Sequence, residues 1–282
     1  MSNNPTGPEL NFCTTIVANP DILGIGIRIS IYAGTILNLL QSVILSRGEN
    51  KHAISDGYRD TVLTSAGLVM TAIITWKTQG LSLFDGLIVT MLAGMMTVCG
   101  AISICQMPTL GFTMNFSYLL FATFATYWGI QVWYNPATFG IPSNGENCTA
   151  SIETIFVVLG FDVQVTNSKL RSLALFCYAL AAMSIPVALI ITILSVAYYA
   201  SNGLEDSDST SGDLKKSYWT KVIVPAIIAL ATIIYMIVTI EQMVHRNGIQ
   251  AQLSTWTFGQ TLALIMLLHQ IMTFLSLCKQ EF

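Results

Sequence analysis

Charge is scarce in this chain. Charged residues make up 10% of its 282 positions, where soluble domains carry roughly 25%. Hydrophobic residues fill 53% instead. A soluble chain so composed could not cover its surface with polar groups, and a lipid-facing surface is the simpler reading. The net charge of −3 comes without a basic patch or tail, so the electrostatic footprint of a nucleic-acid binder is missing.

Cysteine is sparse as well. Six are scattered along the chain with no CxxC pair, which excludes a disulfide scaffold and leaves a zinc site without sequence support. There is no GxxxxGK[ST] phosphate loop, no GxSxG elbow and no HExxH helix. Gly24-Ile25-Gly26 lacks the strand context and third glycine of a dinucleotide fold. Asp206 and Asp208 have no second acidic cluster to form the paired aspartates of prenyl-diphosphate chemistry. The last apolar segment has no lysine for a retinal Schiff base and no Asn-Pro-x-x-Tyr pattern, and the third ends without the acidic-Arg-aromatic triplet of rhodopsin-class receptors. No internal repeat supports an inverted-repeat transporter. No cofactor is expected. Residues 1–21 lack a basic cluster and an apolar h-region, so the first apolar segment is expected to target the chain to the membrane.

What is present is a series of seven apolar segments near the ~20 residues that a spanning helix needs: 21–46, 60–76, 81–105, 111–134, 170–198, 219–242 and 255–278. They predict an all-α integral membrane protein, a seven-helix transmembrane bundle with a small structured outer loop. A short segment 1–20 precedes the spanning domain 21–278, and 279–282 form a cytosolic tail. The first helix has a clear start in Asn19 as N-cap, Pro20 at the first helical position and Asp21 at the positive end of the dipole. Pro186 is expected to kink the fifth span.

Lysine and arginine set the orientation. Placing the loop after the first span in the cytosol puts Arg47, Lys51, Arg59, Lys215, Lys216, Lys221 and Lys279 inside and Lys77, Lys169, Arg171 and Arg246 outside. The N-terminus is then extracytoplasmic and the C-terminus cytosolic, in the plasma membrane or another secretory-pathway membrane. Asn147-Cys148-Thr149 is a glycosylation sequon in the outer loop 135–169. Cys13 and Cys148 are the two cysteines of outer segments, so a Cys13–Cys148 bridge is expected. Cys99, Cys105 and Cys177 read as packing residues, and Cys278 as packing or a palmitoylation site. Within the outer loop, Ile152–Val165 reads as a strand or hairpin. The cytosolic loop 199–218 is rich in Ser, Asp and Gly and reads as flexible.

Charges inside spans are costly and usually face the protein interior. Arg28, Asp85 and Glu241 all fall in the outer leaflet on this topology. Arg28 could pair with Asp85 or Glu241, either as a polar vestibule or as a structural bridge that fixes helix register. On the first helix Asp21, Gly24, Arg28, Thr35, Asn38 and Ser42 share one face, opposite Ile22, Ile25, Ile29, Ile36 and Val43. The second span carries a weaker stripe of Asp60, Thr64, Gly67 and Thr71. Such stripes line pores or mark tight helix packing. His269 is the intramembrane histidine, a proton-sensitive group or a partner of a neighbouring helix.

The stretch Asn19-Pro20-Asp21-Ile22-Leu23-Gly24-Ile25-Gly26-Ile27-Arg28 resembles the opening of a large group of fungal multi-pass membrane proteins. Leu83-Phe84-Asp85-Gly86-Leu87-Ile88-Val89 fits the same group, as does Cys148 followed by Phe156-Val157-Val158-Leu159-Gly160-Phe161 and Leu170-Arg171. Glu241 with Arg246-Asn247 and then Trp256-Thr257-Phe258-Gly259-Gln260 completes the likeness. Related chains often carry histidine where this one has Phe161, which argues against an indispensable histidine there. The resemblance implies a fungal multi-pass protein, attaches no activity, and adds Gln260 to Arg28, Asp85 and Glu241. Three functions compete: a channel or transporter for ions or small solutes, oligomeric if a channel; a seven-span sensor of non-rhodopsin type; and a lipid-acting enzyme using Asp85 and Glu241 as acid and base. The first is favoured. The lipid bilayer is the expected partner, and a soluble partner is not specified.

Overall fold

The computed structural model describes residues 16–45, 51–78, 80–106, 112–140, 149–202 and 222–281. They are predominantly α-helical. Helix α1 spans Pro20–Leu23, α2 Ile25–Leu45, α3 Lys51–Thr78, α4 Leu83–Gln106 and α5 Phe112–Tyr134. A 3₁₀ turn at Pro136–Thr138 and α6 at Thr149–Glu153 lead into strands β1 (Ile155–Val158) and β2 (Phe161–Gln164). Helix α7 is Ser168–Asn202, α8 Val224–Arg246, α9 Gln250–Leu253 and α10 Phe258–Glu281. Cys13, Asn147, Cys148 and most of the loop 199–218 lie outside the described residues.

Four of these helices are long and apolar enough to cross a membrane: Pro20–Ile44, Leu83–Gly100, Val224–Arg246 and Phe258–Ser276. Val62–Thr78 is a shorter apolar stretch. Helix α4 lies at the centre and packs against α2, α3, α5 and α8. Its inner surface is built of Phe84, Leu87, Ile88, Leu92 and Met95, all fully buried. Helix α8 packs on α4 and α2, α7 on α5, and α10 on α2 and α3. Only 28% of the apolar window of α8 and 6% of that of α10 is buried within the chain. Ile227, Ile228, Ile234, Val238, Leu262 and Met272 are exposed there. Water would not tolerate so broad an apolar surface, whereas hydrocarbon would.

Helix α3 starts at Lys51 and takes in the polar stretch through Arg59, while its apolar part, Val62–Thr78, holds the place of the expected second segment. Pro186 lies inside α7, which is helical on both sides of it. One expectation needs correction. The first helix is not continuous: it breaks at Gly24, whose ψ of 156° is extended. Asn19 caps α1 as its sequence implies, accepting from Asp21 N–H at 2.9 Å. Gly24 then closes α1 by donating to Pro20 O and opens α2 by accepting from Arg28 N–H. The break turns α1 out of register with α2. Ile22, placed with Ile25 on a lipid face by helical spacing, is 1% exposed, while Ile25 is 42% exposed.

The hairpin expected within 152–165 is present. β1 and β2 pair antiparallel with Phe156 opposite Val163 and Val158 opposite Phe161. The two-residue turn is Leu159-Gly160, with φ of 49° and 86°. Glycine adopts that geometry freely, and a leucine there is strained.

Candidate functional site

The break in the first helix is the centre of the site, because it leaves backbone groups without helical partners. Two side chains take them up. Arg28 Nε–H donates to Leu23 O at 3.1 Å. Gln260, fully buried in the first turn of α10, accepts from Gly26 N–H through Oε1 at 3.0 Å. Its Nε2 donates to Thr255 O at 2.7 Å and to Pro20 O at 3.4 Å. A Cβ on Gly24 would lie 2.1 Å from Gln260 Nε2, so only glycine lets the carboxamide enter the break.

The same arginine makes the site's ion pair. Arg28 Nη1 meets Glu241 Oε1 of α8 at 2.5 Å. Tyr32, one turn further along α2, donates to that same oxygen at 2.9 Å. The two ends of the pair differ in environment: the Arg28 side chain is 5% exposed and that of Glu241 48%. A fixed cation thus sits inside the chain with a carboxylate at its mouth. Sequence reasoning missed Tyr32, although its spacing of one turn from Arg28 was a usable signal.

Asp85 is not part of this pair. It is buried at the start of α4, and both carboxylate oxygens accept from Asn19 N–H at 3.2 Å. Its own N–H donates to Ser82 Oγ at 3.1 Å. Asp85 therefore docks the chain entering α1, while Glu241 neutralises Arg28. The two carboxylates serve different partners.

Of the polar stripe on the first helix, Thr35, Asn38 and Ser42 are buried and Asp21 is exposed. Thr35 Oγ1 donates to Ile31 O at 2.7 Å and contacts Met96 Sδ at 2.8 Å. Ser42 Oγ donates to Leu39 O at 2.9 Å. Asn38 Nδ2 is buried with no hydrogen-bond partner among the described residues. The second stripe differs, because Gly67 and Thr71 are exposed and a Cβ on Gly67 would meet nothing within 4 Å. His269 is exposed, while its neighbour Gln270 is buried. A separate cavity of about 230 Å³ lies among α4, α5 and α7, lined in part by Thr90, Thr97, Tyr118, Thr126 and Tyr178. Arg28, Glu241 and Gln260 do not line it.

Two amide side chains also hold the hairpin and the chain entering α1. Asn247, just past α8, accepts from Ile155 N–H at 2.9 Å and donates to Ile155 O at 2.9 Å and Met243 O at 2.8 Å. Gln252 of α9 accepts from Ala18 N–H at 2.9 Å and donates to Ile16 O at 3.3 Å. Each amide pairs with backbone as a neighbouring strand would. Nothing in sequence spacing distinguishes these two from other amides in the chain.

These features define a mostly helical protein with several helices of membrane-crossing length and a broken first helix stapled by Gln260. No family model matches the chain, and neither the curated proteins nor the solved structures provide a match.

Proposed function

We propose that the chain is a seven-span membrane protein that passes ions or small solutes. Seven helices of 21 to 35 residues, α2, α3, α4, α5, α7, α8 and α10, correspond in order to the seven apolar segments. The exposed apolar faces of α8 and α10 support a lipid surround. The observation that carries transport is the broken first helix with Arg28 behind a half-exposed Glu241. Discontinuous helices and charged side chains at membrane depth recur where solutes bind. Under this reading, Glu241 meets the solute and Arg28 sets the local charge.

The same reading carries the expected topology, with an outer N-terminus, a cytosolic C-terminus, a Cys13–Cys148 bridge and glycosylation at Asn147. It also carries the likeness to the fungal multi-pass group. Tests start from purified protein in liposomes under gradients of monovalent and divalent ions and of small neutral solutes. Glu241→Gln is expected to change the rate or selectivity of flux while the protein stays folded. Absence of flux under every gradient overturns the proposal.

A sensor is the second reading. It is favoured by the clamp of Asn247 on Ile155, which couples the outer hairpin directly to the end of α8. A ligand that moved the hairpin would then pull on a spanning helix. The lipid-enzyme reading gains no observation in its favour, since Asp85 is engaged by Asn19 and Glu241 by Arg28.

A further inference from the structure

The hairpin does not extend away from the helices. It folds back along α8. At one end Ile155 is clamped by Asn247, just past the last residue of α8. At the other end Leu159 N–H points to Tyr235 Oη at 3.4 Å. Tyr235 precedes Arg246 by about 16 Å of helix at 1.5 Å per residue. Arg246 reaches the tip from the opposite direction, donating to Gly160 O at 3.3 Å and to Asp162 Oδ2 at 2.6 Å. A tip grasped by Arg246 from the helix end and by Tyr235 from further in lies beside α8, between their levels. The four residue steps from Ile155 to Leu159 cover about 13 Å as strand, which fits within the ~15 Å depth of one leaflet.

The residues at the tip suit hydrocarbon. Leu159 and Phe161 are each 75% exposed. Val238 and Ile234, the neighbouring outward residues of α8, are exposed too, so the tip continues an apolar surface. A two-residue turn in water favours Asn, Asp or Gly at its first position. This one has leucine at a φ of 49°, a conformation adopted at a cost that an exposed side chain in water would not offset. Asp162 and Arg246 neutralise each other, so the hairpin brings no unpaired charge with it.

We propose that the 155–164 hairpin inserts its Leu159-Gly160-Phe161 tip into the lipid leaflet next to α8, as a membrane anchor that is not itself a spanning segment. The partner is the acyl region of the bilayer just beneath the headgroups, and Asp162, one residue from Phe161, lies with Arg246 at the boundary between the two. The inference rests on α8 spanning the membrane and does not depend on which face is outside.

Full-length protein in liposomes tests it through tryptophan emission, read as the difference from wild type. Phe161→Trp reports the tip, Leu159→Trp repeats the measurement should the first variant fail to fold, and Ile234→Trp on α8 is the reference. The quenchers are phosphatidylcholine brominated on its acyl chains and aqueous acrylamide. The expected result is a blue-shifted emission at the tip that loses most of its intensity to brominated lipid and little to acrylamide, as at the reference. Quenching by acrylamide alone places the tip in water and overturns the anchor. Quenching by neither places it in a protein contact, such as a second copy, and overturns it as well. If Ile234→Trp also escapes the brominated lipid, the spanning reading of α8 fails, and the anchor with it.

Discussion

Gln260 sits across the break of the first helix from Gly26, accepting its N–H at 3.0 Å while a Cβ on Gly24 would strike the same carboxamide. The two glycines and the glutamine, more than two hundred residues apart, therefore form one device. Glycine makes room, and the glutamine replaces the hydrogen bond that the helix gives up. Gly24→Ala would press a methyl into Gln260 and Pro20 O, at an expected cost of about 1–3 kcal/mol. Gln260→Ala would leave Gly26 N–H unpaired, also at about 1–3 kcal/mol. The double variant should lose less than the sum, because the carboxamide no longer clashes. Thermal unfolding of the four proteins in detergent measures this, and strict additivity would contradict the arrangement.

Arg28 is predicted to couple with Glu241 and not with Asp85. Arg28→Met removes the buried cation and frees Leu23 O, while half-exposed Glu241 keeps water and Tyr32, so a loss of about 1–3 kcal/mol is expected from the unpaired carbonyl. Glu241→Gln keeps an acceptor for Arg28 and Tyr32 but leaves the buried guanidinium without its counter-charge, and should cost at least as much. Combined, Arg28→Met and Glu241→Gln should show an interaction energy within about 0.5–3 kcal/mol. Arg28→Met and Asp85→Asn should add to within about 0.5 kcal/mol, because they share no bond. A strong coupling to Asp85 in stability cycles would contradict the geometry.

Much of this site is legible in the sequence because its cost is. A charge in an apolar run requires a partner, so Arg28, Asp85 and Glu241 stand out by contrast with the residues around them. The N-cap at Asn19 and the hairpin after Ile152 follow from local chemistry alone, and the fold contains both. Which carboxylate meets Arg28 is not legible, since helix neighbours are set by packing over the whole bundle. The break at Gly24 is hidden for another reason. Asp21, Gly24 and Arg28 keep helical spacing, and periodicity cannot report a residue whose ψ is extended while its neighbours remain helical. Gln260, far along the chain, and Arg28 take up the backbone groups that the break frees. Likewise α3 runs on through polar residues from Lys51, where hydropathy loses the helix although the backbone continues.

Asn38 should be better replaced than kept, if stability were all that mattered. Its Nδ2 is buried without a partner among the described residues, a state that costs about 1–3 kcal/mol. Asn38→Leu is therefore expected to leave the melting temperature unchanged or raise it, with a gain of about 1 kcal/mol. If flux in liposomes falls while stability rises, the amide is kept for transport. A clear loss of stability would instead show that the amide is satisfied, and the prediction fails.

The clamp between Asn247 and Ile155 makes the sharpest prediction, because alanine and aspartate at position 247 fail differently. Asn247→Ala removes an acceptor for Ile155 N–H and a donor for Ile155 O and Met243 O. The hairpin then loses its link to the end of α8, and stability should fall by about 1–3 kcal/mol. Asn247→Asp keeps the acceptor yet sets a carboxylate oxygen where the amide donated, facing two carbonyl oxygens. Near neutral pH it should be at least as damaging as alanine. Lowering the pH through the ordinary carboxylate range would protonate the aspartate, restore one donor and recover part of the loss in Asn247→Asp but not in Asn247→Ala. Hydrogen exchange at the Ile155 amide provides the local readout: slow in the parent protein, fast in Asn247→Ala, and in Asn247→Asp slower at acid pH than the intrinsic pH dependence of exchange explains. Equal exchange in all three would mean that the hairpin is held by its apolar contacts alone, such as Phe156 on Trp133.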